Sequence, residues 1–105
     1  MTVDNRHFDY PSHVISPDMD QQALFDAFMP ARMQAFLDGV NVNVIAYGQT
    51  GSGKTFSMEG AKDAKGVYTS RGLIPRIFSR IFEMFSTDSS ISKFEVSLQF
   101  IELYN

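Results

Sequence analysis

Residues 48–55 read Gly48-Gln49-Thr50-Gly51-Ser52-Gly53-Lys54-Thr55, the pattern G-x-x-x-x-G-K-[ST] of a phosphate-binding loop. Each fixed residue answers a chemical need. Gly48, Gly51 and Gly53 lack a Cβ, so the chain can turn tightly and adopt positive φ. The amides of residues 51–55 can then converge on one point as an anion-binding nest. Lys54 brings a full positive charge to the β- and γ-phosphates of a nucleotide, and Thr55 offers its hydroxyl to Mg²⁺. A helix starting near Lys54 adds the positive end of its dipole. With glycine near 7% of residues, chance gives this pattern in a chain of this length only about a few times in a thousand. The competing reading is a glycine-rich surface turn with one solvated lysine.

Working outward, Val42, Val44, Ile45 and Ala46 form a short apolar run before the loop. That is the signature of a buried parallel strand, expected over about 42–47. After the loop, Thr55 to Met58 can begin a helix. That helix breaks early, because residues 60–66 (Gly60-Ala61-Lys62-Asp63-Ala64-Lys65-Gly66) are small, charged and glycine-bounded. They read as an exposed loop, extending over about 60–70. Upstream, Ser16-Pro17-Asp18 is a helix-start signature with Ser16 as N-cap candidate. A helix is expected from about Asp20 to Leu37, with Leu24, Phe25, Phe28, Ala31, Ala35 and Phe36 along one face. Pro30 should kink it or loosen a turn, and Gly39 suits its end.

Downstream, Ile74, Ile77, Phe78, Ile81, Phe82 and Phe85 form an amphipathic stripe, which predicts a helix over about 75–85 with Pro75 in its first turn. Residues 93–103 alternate, with Phe94, Val96, Leu98 and Phe100 on one face, as a half-buried strand would. A short strand is also expected near Arg6 to Tyr10. The order helix, strand, phosphate loop, helix, strand is an α/β plan. The phenylalanine stripes read as core. Two or three strands leave an open edge and uncovered aromatic faces, so the chain reads as part of a larger domain.

Composition narrows the function. The chain has 105 residues, 44% hydrophobic and 20% charged, with a net charge of −3 and no cysteine. This is at most one domain with a modest core. The charge gives no electrostatic case for nucleic acid or an acidic membrane. There is no disulfide framework and no thiolate metal site, which fits an intracellular protein. No secretory h-region and no span of membrane length is visible. His7 and His13 lack partners at ligand spacing. Glu59 reads as a backbone-orienting residue and Asp38 as a helix-terminus residue.

The flanks carry a further signal. The stretch Ala46-Tyr47-Gly48-Gln49-Thr50-Gly51-Ser52-Gly53-Lys54-Thr55, followed by Phe56-Ser57-Met58-Glu59-Gly60, resembles the nucleotide loop of kinesin motor domains, which read AYGQTGSGKT and then M-E-G. Phe8-Asp9-Tyr10 resembles the family's F-x-F-D segment. Leu37-Asp38-Gly39-Val40-Asn41 is similar to its L-x-G-Y-N, with Val40 in place of Tyr. Gly72-Leu73-Ile74-Pro75-Arg76 is similar to G-I-I-P-R, and Glu102-Leu103-Tyr104-Asn105 to E-I-Y-N. The matches run in the family's order from about residue 8 to the last.

The resemblance implies a P-loop NTPase-type α/β sheet flanked by helices, with residues 1–105 as an incomplete, N-terminal part of a motor domain. It implies ATP and Mg²⁺ as cofactors. The nucleotide would be held by Gly48, Gln49, Thr50, Gly51, Ser52, Gly53, Lys54, Thr55 and Phe56, with Thr55 on the metal. In kinesins the Phe56 position lies near the adenine base, although a lone aromatic more often packs in a core. The implied activity is ATP hydrolysis coupled to microtubule-based movement, in the cytoplasm on the cytoskeleton. Departures matter as well. The family's R-x-R-P adenine motif does not follow Arg6. N-x-x-S-S-R-S and D-x-x-G-x-E, its two switch motifs, do not occur, and no aspartate ends an apolar strand as a second magnesium-side carboxylate would. The elements that contact tubulin follow those switches in the family. No catalytic residue is therefore expected within this stretch. Two alternatives stay open: another P-loop enzyme such as a small-molecule kinase, and a truncated, non-catalytic remnant with weak or no nucleotide binding.

Overall fold

The computed structural model describes residues 2–3, 6–7 and 14–103. Two short strands, β1 (Thr2–Val3) and β2 (Arg6–His7), pair antiparallel with Val3 opposite Arg6. Residues 8–10 of the strand expected there, His13 and residues 104–105 lie outside the described set.

The expected helix over 20–37 is two helices, α1 (Gln21–Phe28) and α2 (Pro30–Leu37). Ser16 is not the cap. Residues 17–18 form a turn closed by the Met19 amide on Ser16 O (3.0 Å). Asp20 caps instead, its carboxylate accepting from the Ala23 amide at 2.8 Å, which satisfies one of the helix's free first-turn donors. Pro30 divides the pair because it has no amide to donate. The break is slight: Met29 keeps right-handed helical angles, and the Met29 and Met33 amides donate to Phe25 O and Met29 O at 2.8 Å each. At the far end the Gly39 amide donates to Phe36 O (3.0 Å) and the Val40 amide to Ala35 O (2.9 Å), a paired closure of the last carbonyls.

Helix α3 (Lys54–Met58) follows the glycine-rich loop. The stretch read as a loop over 60–70 is a β-hairpin: β3 (Gly60–Lys62) pairs antiparallel with β4 (Tyr68–Arg71). Its turn is held by Asp63, whose carboxylate accepts from the Lys65 and Val67 amides at 2.9 Å. Sequence reasoning took Gly60 and Gly66 as loop boundaries. They are the two left-handed positions that let the hairpin form. Helix α4 (Leu73–Thr87) is longer than the stripe suggested.

The strands expected over 42–47 and 93–103 do not form, and among the described residues there is no parallel sheet. The physical reason is the absence of partners. A parallel strand buries both faces and shares hydrogen bonds with two neighbours, and neither segment has another strand beside it. The alternation survives in part: Val42 and Val44 are half-buried between exposed Asn41, Asn43 and Ile45. Residues beyond Phe94 and Val96 stand clear, with Phe100 89% and Leu103 91% exposed.

Phe25, Met29, Met33 and Leu73 form the core, and Leu24, Val44, Met58, Ile77, Ile81 and Met84 pack on it. The phenylalanine stripe of α4 is not this core. Phe82 and Phe85 lie against Phe94 with ring centroids 6.1 and 4.9 Å apart. Arg76 ties the layers, donating from Nε to Arg71 O (3.1 Å) on β4 and from Nη1 to Gln22 Oε1 on α1. The radius of gyration is 16.6 Å, against about 13 Å for a compact domain of this length.

Candidate nucleotide site

The glycine-rich loop folds on itself. The Ser52 amide donates to Gln49 O at 3.2 Å. Gly51 (φ 79°) and Gly53 (φ 89°) take left-handed angles that carry the chain into α3. Gly48 serves a different end. A Cβ there would lie 2.5 Å from Ser52 Oγ, so its bareness allows the two arms of the loop to approach. Sequence reasoning gave the three glycines one role; the structure separates them.

Lys54 curls back over the loop. Its ammonium donates to Gly48 O at 2.7 Å and Gln49 O at 2.6 Å. An ammonium has three N–H donors, so one is left for a phosphate oxygen. Of the amides of residues 51–56, only that of Ser52 meets an acceptor among the described residues. The others are donors aimed from a turn and a helix start, which suits an anion. Thr55 is exposed on the first turn of α3, and its hydroxyl has no hydrogen-bond partner among the described residues.

Thr50, Gly51, Gly53, Lys54, Thr55 and Phe56 line one concavity of about 490 Å³. The structure thus brings six of the nine expected site residues to one surface. Gly48 and Gln49 anchor Lys54, and Ser52 ties back to Gln49 O. Phe56 does not pack in the core; it is 50% exposed. It also lines a neighbouring cleft of about 430 Å³ with Pro17, Met19, Gln21, Leu24 and Ser57. In the turn before α1, the Ser16 hydroxyl donates to Asp18 and holds its carboxyl below the usual range. No group of three or more His, Cys, Asp or Glu that could hold a metal occurs among the described residues. A magnesium ion here would rest on Thr55, phosphate oxygens and water, the manner in which Mg²⁺ is commonly held beside nucleotides.

One residue escaped the sequence reading. Gln21 is 6% exposed, and its Nε2 donates to Phe56 O at 2.6 Å. Its position held a signal. Gln21, Leu24, Phe25 and Phe28 follow the i, i+3, i+4, i+7 spacing of a buried face, and a polar side chain there calls for a partner.

The comparisons agree with the loop and its flanks. The profile of the kinesin motor domain matches residues 2–105. Kinesin-like protein KIN-14S of Arabidopsis thaliana is 39% identical over 100 residues, which cover 95% of this chain and 12% of that protein. Kinesin-like protein KIN-14A of the same plant is 39% identical over 106 residues, 99% of this chain and 8% of its own length. Kinesin-like protein cut7 of Schizosaccharomyces pombe is 38% identical over 94 residues, 88% of this chain and 8% of its own length. The chain thus spans only a small part of the curated relatives it matches. No solved structure matches it at the same stringency. With a profile match along almost its whole length and the nucleotide loop in the family's own wording, the chain belongs to the kinesin motor domain family.

Proposed function

We propose that this chain is the ATP-binding part of a kinesin-type motor ATPase that moves along, or remodels, microtubules. The observation that carries the reading is the Lys54 anchor: an ammonium held by Gly48 O and Gln49 O over a loop whose amides from Gly51 to Phe56, Ser52 apart, meet no acceptor among the described residues. The loop amides and the remaining lysine donor bind the β- and γ-phosphates, Thr55 takes the metal, and Phe56 stands at the base end. Thr55 would hold a magnesium ion, which would supply neutralisation of the phosphate charge. In the longer protein, the segments at 42–47 and 93–103 join the parallel sheet of a P-loop NTPase. Switch motifs elsewhere then supply hydrolysis and, with it, altered microtubule affinity. Tubulin is the partner and the cytoskeleton the location. Neither nucleic acid nor membrane enters this reading; no helix among the described residues is long and apolar enough to cross a bilayer.

Calorimetric titration of the chain with MgATP tests the binding step. Lys54→Ala removes one charge-assisted hydrogen bond to phosphate, worth about 1.5–3 kcal/mol, so affinity should fall about 10- to 100-fold. An unchanged Kd would reject the site. For the longer protein, ATPase activity not raised by microtubules would reject the motor assignment. A second reading is favoured by the exposed apolar positions Ile45 (85%), Phe100 and Leu103. The 105-residue chain by itself binds nucleotide at most weakly and does not turn it over until other chain covers these positions. Turnover by the purified chain, abolished in Lys54→Ala, would refute that.

A further inference from the structure

Helix α3 is five residues long, far below the length at which a helix holds itself in water. Its position is set by ties from outside. At its C-terminal end the Glu59 amide donates to Thr55 O at 2.8 Å, and the chain then turns into β3 at Gly60. No amide is left to continue the ladder onto Phe56 O, one of the carbonyls that every helix end orphans. Gln21, 35 residues earlier, reaches across from the first turn of α1 and supplies the donor at 2.6 Å.

The same side chain is poorly explained by packing. Gln21 is the buried polar residue of the described set, and its Oε1 is enclosed with no hydrogen-bond partner. An orphaned buried acceptor costs stability, and an apolar residue of similar volume avoids that cost. What Gln21 does that such a residue cannot is fix the carbonyl of Phe56. Phe56 in turn borders both the phosphate-loop concavity and the cleft beside it.

We propose that Gln21 is a positioning residue of the nucleotide site: by holding Phe56 O it sets the wall that meets the base, without touching the phosphates. This rests on the nucleotide reading above, and it assigns to α1 a role at the site that the loop motif does not contain. The consequence is selective. Removing the tie weakens ligands that carry a base and spares those that are phosphate alone.

The test titrates the purified chain with MgATP and with magnesium tripolyphosphate, for the unaltered protein, Gln21→Met, Phe56→Ala and the double variant. Gln21→Met keeps the volume; it removes the orphan oxygen but leaves Phe56 O without its donor, so thermal stability should change little. Its ATP affinity should drop about five- to tenfold, the scale of one hydrogen bond, with tripolyphosphate affinity changed less than about twofold. Because Gln21 acts through Phe56, the double variant should bind ATP no worse than Phe56→Ala alone. Gln21→Leu repeats the measurement should the methionine variant not fold. Equal losses for both ligands, or additive losses in the double variant, overturn the proposal and leave the phosphate loop intact. An unaltered chain that binds tripolyphosphate as tightly as ATP overturns it too. If that chain binds neither ligand, the proposal is overturned together with the first reading above, and the second, of a chain that does not bind by itself, stands.

Discussion

Alanine at Gly60 should disrupt this fold far more than alanine at Gly66, although both glycines are left-handed. Gly66 has φ 79°, and a Cβ there would meet nothing within 4 Å, so its alanine meets only the left-handed penalty of about 1–2 kcal/mol. Gly72 has an ordinary φ of −81°. A Cβ there would meet Gly60 N, Met58 C and Met58 O, each at 2.6 Å. That is pure overpacking, about 1–3 kcal/mol. Gly60 combines both costs: φ 95°, with Ser70 O nearest, then Gly72 N at 2.5 Å and Arg71 C at 2.9 Å. These are backbone atoms and cannot swing away. The expected cost is the sum, about 2–5 kcal/mol, which at its upper end matches the whole stability of a marginally stable domain. Urea denaturation followed by circular dichroism measures the three variants. Gly66→Ala should shift the midpoint slightly, Gly72→Ala clearly, and Gly60→Ala should abolish a cooperative transition. Since only Glu59 separates Gly60 from α3, MgATP affinity should fall in the Gly60 and Gly72 variants and hold in Gly66→Ala. A Gly60→Ala protein no less stable than Gly66→Ala would refute the close packing of β3 on the end of α3.

Three further outcomes are expected. Asp20→Ala removes the cap of α1 and should cost about 1 kcal/mol in thermal or urea unfolding; Asp20→Asn, which keeps a capping oxygen, should cost little. Pro30→Ala lets residue 30 donate a hydrogen bond where Met29 already has helical angles. The α1–α2 join should then become one helix, with a stronger 222 nm signal and a higher melting temperature. Asp88 accepts from the Ser90 hydroxyl (2.6 Å) and amide (2.9 Å), which hold its carboxyl below the usual range. The stabilisation is therefore present above the ordinary carboxylate pKa and is lost as pH falls through the lowered one. In Ser90→Ala, NMR titration should show the Asp88 carboxyl moving up toward the ordinary value, because the largest cause of its depression is gone.

The make-up of the candidate site was legible in sequence because it is written in residues a few positions apart. The loop glycines, Lys54 and Thr55 form one contiguous run, and α3 starts where the run ends. The break at Pro30 follows from a missing amide, and the closure at Gly39 from helix-end geometry; neither needs knowledge of the rest of the chain. The α4 stripe predicted a helix correctly, because a 3.6-residue period is a property of the segment itself.

What sequence could not decide are the pairings. The runs at 42–47 and 93–103 have the pattern of strands, but a strand exists only beside another strand, and in this structure neither has one. The segment at 60–70 looked like a loop because its residues are small and charged. It is a hairpin because Asp63 gathers the turn amides and Gly60 packs against Gly72. The phenylalanines of α4 looked like core by their helical spacing; the tertiary structure instead buries Met29, Met33 and Leu73 and leaves Phe82 and Phe85 tilted against Phe94. Gln21 shows the same division most plainly. Its helical position was readable, but its role depends on a carbonyl 35 residues away that one short helix leaves unpaired. Sequence by itself determined the family and the residues of the candidate nucleotide loop, because both lie in contiguous residues. Tertiary structure alone decided which wall stands beside that loop and what holds it there, because hydrogen bonds and packing join residues that the chain keeps apart.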